Sequence, residues 1–349
     1  MIRGITVNNV AIGKVNKKTV TAIILCAVII FGIVAYDFIN GKSSCEKTDV
    51  AMGTVVTLKL FGLSAKDDLE RIDNEIDGLE TSVLSWRKEG SDIYRINSGA
   101  GEFVSVSPDT VAVIKKCTEL SEECGGKFDI TVGPVTRLWD FGGDNQRLPE
   151  KSEIESALSN VDYTKIEISG NAVKIAEGQS VDLGAVGKGF ACDRVRELLK
   201  NGKTKSAVIS VGGSLLLYGK KTFTVGIVDP ENDKASMGTL KLRDTCVSTS
   251  GDYEKFFEQD GKTYHHILNA KTGYPSAGEF KSVTVVCESG LLSDALSTVC
   301  FLVGYQKSIE ILEKYDAEAV FIFKDKTVKT TDGLSGKLEL TNDSYTVEK

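Results

Sequence analysis

Residues 19–36 (TVTAIILCAVIIFGIVAY) run without a single charged side chain. At about 1.5 Å of helical rise per residue, such a run nearly matches the hydrocarbon core of a bilayer. Lys14, Lys17 and Lys18 precede it and Asp37 follows, which favours a cytoplasmic N-terminus with the remainder outside. The reading is therefore a cytoplasmic segment 1–18, a transmembrane anchor 19–36, a linker 37–49 and one extracytoplasmic domain 50–349, making a single-pass protein of the cell membrane. A cleaved signal peptide is the competing reading. The length of the run and the lack of a small-x-small site in AYDFINGKSSC favour retention.

With 41% hydrophobic and 26% charged residues, the 349-residue chain can bury a full core. A formal net charge of −7 offers no basic face for a phosphate backbone, so nucleic acid is excluded as a partner. Any phosphate ligand would need a metal or backbone amides. The eight cysteines include no C-x-x-C pair, which argues against a zinc site or a redox dithiol of that kind. Cys287 and Cys300 lie at apolar positions and read as small buried hydrophobes.

The expected elements are an α+β mixture of largely antiparallel sheets and packed helices, without the steady alternation of a doubly wound sheet. Residues 52–62 alternate like a strand. Leu69, Ile72, Ile76, Leu79 and Val83 recur at three and four residues, predicting a helix over 64–84 capped by Ser64. A loop with Gly90 and Ser91 follows, then a helix over 108–124. Residues 127–143, rich in glycine and aromatics, read as a shaped loop. Asp182 to Gly202 reads as a glycine-rich turn running into a helix. Strand-rich stretches at 206–219, 222–230 and 238–253 lead to helices expected over 293–304 and 308–315 and a closing strand pair.

Four features could carry chemistry. Gly184, Gly187 and Gly189 precede a helix, where free amides favour an anion, although a turn needed for close helix packing fits equally. Asp294 and Thr298 are four apart, so both could offer oxygens to one Mg²⁺; the alternative is a helix capped by Ser293 with Asp294 complementing its dipole. His265 and His266, the only histidines, sit in a strand-like segment that sends one to each face, so one could be a general base and the other exposed. Trp86, Phe128, Trp139, Phe141 and Tyr253 fall beside glycine-rich loops, where an aromatic ligand could stack.

Taken in order, eight segments resemble the FAD:protein FMN transferase (ApbE-like) family. They are MGT at 52–54, GSDIYRIN at 90–97, GGKFDITVGPVTRLWDFG at 125–142, VDLGAVGKGFACD at 181–193, ISVGGSLLLYG at 209–219, STSGDYEKFF at 248–257, YHHILNAKTGYP at 264–275 and SDALSTVCFLVG at 293–304. The resemblance implies an ApbE/T-fold-like architecture and FAD as substrate, with Mg²⁺ held by Asp294, Thr298, the Ala185 carbonyl and Ser297. It places Met52, Trp86, Lys127, Phe128, Asp129, Asp182, Lys188 and Ile267 at positions that contact FAD, and His266 and Asp294 in the catalytic roles. The implied partner is an exported electron-transfer protein carrying an Asp-Gly-x-Thr/Ser-Gly-type motif. Hydrolysis of FAD to FMN and AMP, or passive flavin binding in the envelope, are the alternatives.

The chain departs from the family pattern at Trp86-Arg87-Lys88, where Tyr-Asp-Pro is usual, and at Asn269-Ala270, where Asp-Pro is usual. DGLSGK at 332–337 resembles the acceptor motif but for a lysine at its end, which raises self-modification at Ser335 as a question.

Overall fold

The computed structural model describes residues 44–62 and 65–348. The expected anchor at 19–36 and the expected cap Ser64 lie outside the described residues. No helix among the described residues is long and apolar enough to cross a membrane.

The strands that matter here are β1 (Ser44–Ala51), β2 (Thr54–Phe61), β3 (Ser206–Val211), β4 (Ser214–Gly219), β5 (Phe223–Asp229), β6 (Asn232–Leu242), β7 (Thr245–Gly251), β8 (Phe256–Gln259), β9 (Lys262–His265), β10 (Phe280–Cys287), β11 (Glu318–Phe323) and β12 (Thr327–Thr330). A nine-stranded sheet runs β1-β2-β3-β4-β7-β10-β11-β12 and ends on Thr346–Val347. Every pairing in it is antiparallel except the last.

The central strands β3 and β4 are largely apolar because both faces are covered. In β3, Ala207, Ile209 and Val211 face one layer with Leu216 and Cys246, while Val208 joins Leu217, Phe223 and Val225 on the other. The first layer is helical: α1 (Ala65–Leu79), α2 (Asp92–Ser98), α3 (Pro108–Glu123), α6 (Gly187–Lys200), α7 (Gly290–Val303) and α8 (Tyr305–Lys314), while α4 (Gly133–Trp139) and α5 (Lys151–Leu158) pack in a satellite cluster with Phe257 and Tyr264. The second is a three-stranded sheet of Glu339–Leu340, β6 and β5. Helix α7 buries Ala295, Leu296, Val299, Cys300, Phe301 and Leu302, and a helix apolar on most sides belongs in the middle of a core.

Three expectations need correction. Residues 44–49, read as linker, are strand: β1 pairs with β2 from Ser44↔Phe61 to Ala51↔Thr54. The strand sits at the sheet edge, so most of its exposed positions (Ser44, Glu46, Thr48, Asp49) are polar or charged and its pattern resembles a polar tether. Residues 92–98 are helical, started by Ser91, whose hydroxyl accepts from the Tyr94 amide. The stretch 127–143 contains α4, which ends on Asp140 in a left-handed conformation (φ 45°). Its aromatics are shared with a satellite cluster rather than spaced along one helix face, which hid the period.

The seven described cysteines are all free, and all but Cys45 are buried.

Candidate active site

The site begins where α6 and α7 cross. A Cβ on Gly189 would stand 2.0 Å from the Gly290 carbonyl oxygen, and one on Gly290 would stand 2.3 Å from the Gly189 oxygen. Only glycine at both positions allows this approach. Closeness has a use: the Gly189 amide donates to Asp294 Oδ2 at 2.9 Å. Asp193, one turn along α6, accepts from the Gly290 amide (2.6 Å), the Leu291 amide (2.8 Å) and the Ser289 hydroxyl (2.9 Å). A carboxylate at a helix N-terminus satisfies its unpaired amides and its dipole together, so the crossing is fixed at both ends.

Ser289, not Ser293, is the N-cap of α7, accepting from the Leu292 amide at 3.2 Å. The helix therefore starts earlier than the sequence pattern suggested. Asp294 lies beyond the first turn, and the dipole-complement reading does not hold. Its carboxylate is buried, 4% exposed, and points toward the glycine-rich turn at the start of α6. Lys188 bridges the gap, with Nζ 3.5 Å from Asp294 Oδ1 and 3.3 Å from the Gly184 carbonyl. Burial alone would lower the Lys188 pKa, but the Asp294 and Glu254 carboxylates outweigh it and raise it. Asp182 Oδ1 accepts from the Gly184 amide at 2.8 Å and holds the turn in shape.

The facing wall is the segment that closes the β8–β9 hairpin. The His266 amide donates to the Lys255 carbonyl at 2.9 Å, bringing Glu254, Lys255 and His266 together. Glu254 keeps accessible surface, yet the protein around it desolvates its carboxyl and raises it to about 7, against the opposing pull of Lys188 and Lys255. Desolvation and the Lys255, His265 and Lys188 charges push His266 down to about 3. The ring is uncharged at neutral pH, and its Nδ1 is buried without a hydrogen-bond partner. An orphaned buried nitrogen within reach of the charges of two lysines is an unusual thing to keep unless something arrives to meet it.

His265 is not the exposed member of the pair. It is buried against Phe301, its Nε2 bonds the Ser276 carbonyl at 3.0 Å, and its Nδ1 accepts from the Ile267 amide at 3.3 Å. The turn at 269–276 folds back so that Ser276 reaches His265 and Ile267, and the His265 end of β9 is covered.

The other expected contact residues divide. Met52 has a left-handed backbone (φ 52°); its amide donates to Glu80 Oε2 at 2.7 Å, and its Cε lies 3.6 Å from where a Cβ on Gly187 would be. Trp86 is half-buried with the Arg87 guanidinium 3.9 Å from its ring centre and Arg137 at 5.6 Å. Met52 thus lies against the glycine-rich turn that carries Asp182, Ala185 and Lys188, and Arg137, beside Trp86, feels the Asp182 charge. Lys127 is half-buried, and its carbonyl accepts from the Ala270 amide at 2.9 Å. Phe128 and Ile267 are core residues at 5% and 4% exposure. Both Asp129 oxygens are committed, one to the Thr131 amide and hydroxyl and one to the Tyr163 amide, so Asp129 shapes the loop.

Of the further aromatics, Trp139 is fully buried, donates Nε1–H to the Gly273 carbonyl at 2.8 Å and stacks on Phe141. Ser335 is exposed, but its neighbour Leu334 packs in the cluster on the sheet face opposite the helices. Glu254, Lys255 and Asp193 were not singled out from sequence. Their partners are distant in the chain, and nothing local marks them.

The residues fit a divalent cation. Ser250 Oγ lies 2.8 Å from Ser297 Oγ and 3.0 Å from Thr298 Oγ1, so hydroxyls gather one turn beyond Asp294. Ser297 also donates to the Asp294 carbonyl at 2.8 Å, which places it behind the carboxylate. The Lys188 ammonium already sits between Asp294 and the turn carbonyl, so that gap is built for positive charge. Among the described residues no three His, Cys, Asp or Glu side chains converge on a metal position. A single carboxylate with hydroxyl and carbonyl oxygens suits magnesium, which takes few protein ligands beside phosphate and water.

The chain has relatives in both sequence and fold. The chain is 28% identical over 331 residues to the FAD:protein FMN transferase of Treponema pallidum, covering 87% of this chain and 91% of that one. It is 32% identical over 286 residues to the enzyme of that name from Klebsiella pneumoniae, covering 80% and 89%. Among solved structures, the ApbE protein of Thermotoga maritima superposes with a TM-score of 0.78 at 30% identity over 84% of this chain and 99% of that one. The apo flavinyl transferase ApbE of Pseudomonas stutzeri gives 0.74 at 26% identity over 84% and 96%. The pattern of the ApbE family matches residues 52–321, and the chain belongs to the ApbE family.

Proposed function

We propose that this chain is an FAD:protein FMN transferase, moving the FMN half of FAD onto a threonine or serine hydroxyl of another protein and releasing AMP. One observation carries the reading. A buried carboxylate, a lysine and a helix N-terminus converge on one side of a cleft, and a neutral histidine with a free nitrogen stands on the other. The first set suits a pyrophosphate and its cation, and the second suits a hydroxyl that must lose its proton.

The acceptor oxygen attacks the FMN-side phosphorus, the bond to the bridging oxygen breaks, and AMP departs with that oxygen. His266 Nδ1 takes the hydroxyl proton. A ring held down to about 3 is a weak base, but two of the charges that depress it, Lys255 and Lys188, face the place where the pyrophosphate would lie. Bound anion offsets them, so the share of basicity lost to those charges returns when substrate is present, while the share lost to burial stays. Lys188, Asp182 and the α6 amides position the phosphates, while Met52 flanks the same turn. Mg²⁺, when bound, would offset charge on the pyrophosphate oxygens; Asp294, Thr298 and a carbonyl of the Gly184–Ala185 turn would hold it. Attachment to the membrane through residues 19–36, with exported electron-transfer proteins as acceptors, completes the proposal and rests on sequence alone.

The test is to incubate the protein with FAD, MgCl₂ and a small protein bearing an Asp-Gly-x-Thr-Gly segment, with a chelator arm. An FMN-sized mass gain on the acceptor, matched by AMP and absent with chelator, is expected. AMP and free FMN with no modified acceptor would instead show a hydrolase.

A further inference from the structure

The β8–β9 hairpin belongs to no larger sheet. Its turn residues Asp260 (φ 52°) and Gly261 (φ 71°) are both left-handed, the mark of a two-residue type I′ turn. Such a turn closes on a hydrogen-bonded pair, here Gln259↔Lys262, and bonded pairs then alternate along the ladder. Phe257↔Tyr264 is the next bonded pair, and the Lys255–His266 bond continues the series. Phe256 and Glu258 on β8, and Thr263 and His265 on β9, therefore turn their N–H and C=O groups outward.

The two edges differ. Beyond Thr263, the β9 edge is covered at His265, which is 7% exposed with its ring Nε2 3.0 Å from the Ser276 carbonyl. The β8 edge is open. Among the described residues, nothing outside the hairpin bonds the backbone of Phe256 or Glu258, and Phe256 is 47% exposed. That edge leads directly to Glu254 and Lys255 in the cleft. Glu258 is four residues from Glu254, about 13 Å at the rise of an extended strand. An unpaired edge with no proline, bulge or cover is a template for another strand.

We propose that the β8 edge captures the acceptor protein by strand addition. An extended acceptor segment pairs with Phe256 and Glu258, and the residues that follow it deliver the hydroxyl between Glu254 and His266. The occupant is set by the reaction, and the inference rests on the transferase reading: an acceptor polypeptide must reach His266, and this edge is the extended surface continuous with it. Backbone pairing would supply affinity for segments of varied sequence, with Phe256 adding apolar contact on one face.

The experiment uses the intact protein with FAD, MgCl₂ and the Asp-Gly-x-Thr-Gly-bearing acceptor protein. Glu258→Pro removes an outward amide that the hairpin does not use, a position where edge strands tolerate proline. It is expected to raise the KM for acceptor at least about tenfold, leaving FAD affinity and kcat at saturating acceptor unchanged. Thr263→Pro, on the opposite edge of the hairpin, is expected to leave all three unchanged. Independently of any variant, acceptor should slow hydrogen exchange at the Phe256 and Glu258 amides. A wild-type KM in Glu258→Pro, an equal rise in Thr263→Pro, or protection at Thr263 alone would overturn the proposal. If the unaltered protein neither modifies acceptor nor releases AMP, the transferase reading fails. In that case acceptor protection of β8 without turnover would still support docking, and its absence would overturn it.

Discussion

The two walls of the cleft are built on opposite principles. The α6–α7 wall is backbone against backbone, with two glycines in contact, one carboxylate tying helix to helix and no free space at the crossing. The wall that carries His266 is a hairpin with an open edge, a buried nitrogen lacking a partner and acid–base groups displaced from their usual ranges. A rigid wall suits an invariant ligand such as a pyrophosphate. A wall with unmet bonds suits a ligand that comes and goes, such as the hydroxyl of a second protein.

The comparison breaks most readily at the crossing. Gly189→Ala forces a Cβ to within 2.0 Å of the Gly290 oxygen and 2.6 Å of Asp294 Cβ. It should cost about 3 kcal/mol and remove turnover with it, seen as a lowered unfolding midpoint in calorimetry. Normal stability would mean the walls are equally soft. Asp294→Asn keeps volume and the Gly189 bond but loses the charge, so transfer should fall by about 10²–10³ with the midpoint nearly unchanged. AMP release reads this, and undiminished turnover would remove the cation assignment.

On the other wall the expected effects are smaller. His266 titrates near 6.5 in an unfolded chain and near 3 in the fold. Between those values the unfolded chain binds a proton that the folded chain does not, so stability drops as pH falls from about 6.5 toward 3. His266→Ala should flatten part of that acid limb in urea midpoints taken from pH 7 to pH 4. His265, also lowered by burial, keeps the rest. Back at the crossing, the smallest effect is expected at Asp193→Ala, which leaves the Gly290 and Leu291 amides of α7 without their acceptor while the Ser289 cap remains. It should lose about 1–2 kcal/mol in denaturant unfolding, with FAD still bound.

Much of this was legible in the sequence, for identifiable reasons. The pair Asp294 and Thr298 and the turn at 184–189 are local patterns, and helix geometry alone puts them on one face. Strands buried on both sides, such as β3 and β10, show as apolar runs. What escaped depends on distant partners. β1 is polar because it is an edge, and its partner β2 defines it. Asp193 looks like any helical carboxylate until α7 places its amides against it. Glu254 and Lys255 acquire meaning only beside Lys188 and His266. Aromatic content misled in the opposite direction: Trp139 and Phe128, beside glycine-rich loops, are buried, whereas Trp86 stays half-exposed between Arg87 and Arg137.

The division of labour between the walls is tested most directly by one paired measurement on His266→Ala, with FAD affinity read from flavin fluorescence and acceptor modification read by mass. The account predicts FAD affinity within about twofold of the unaltered protein and transfer reduced by about 10²-fold or more. Transfer at the original rate, or loss of FAD binding in step with transfer, would contradict it.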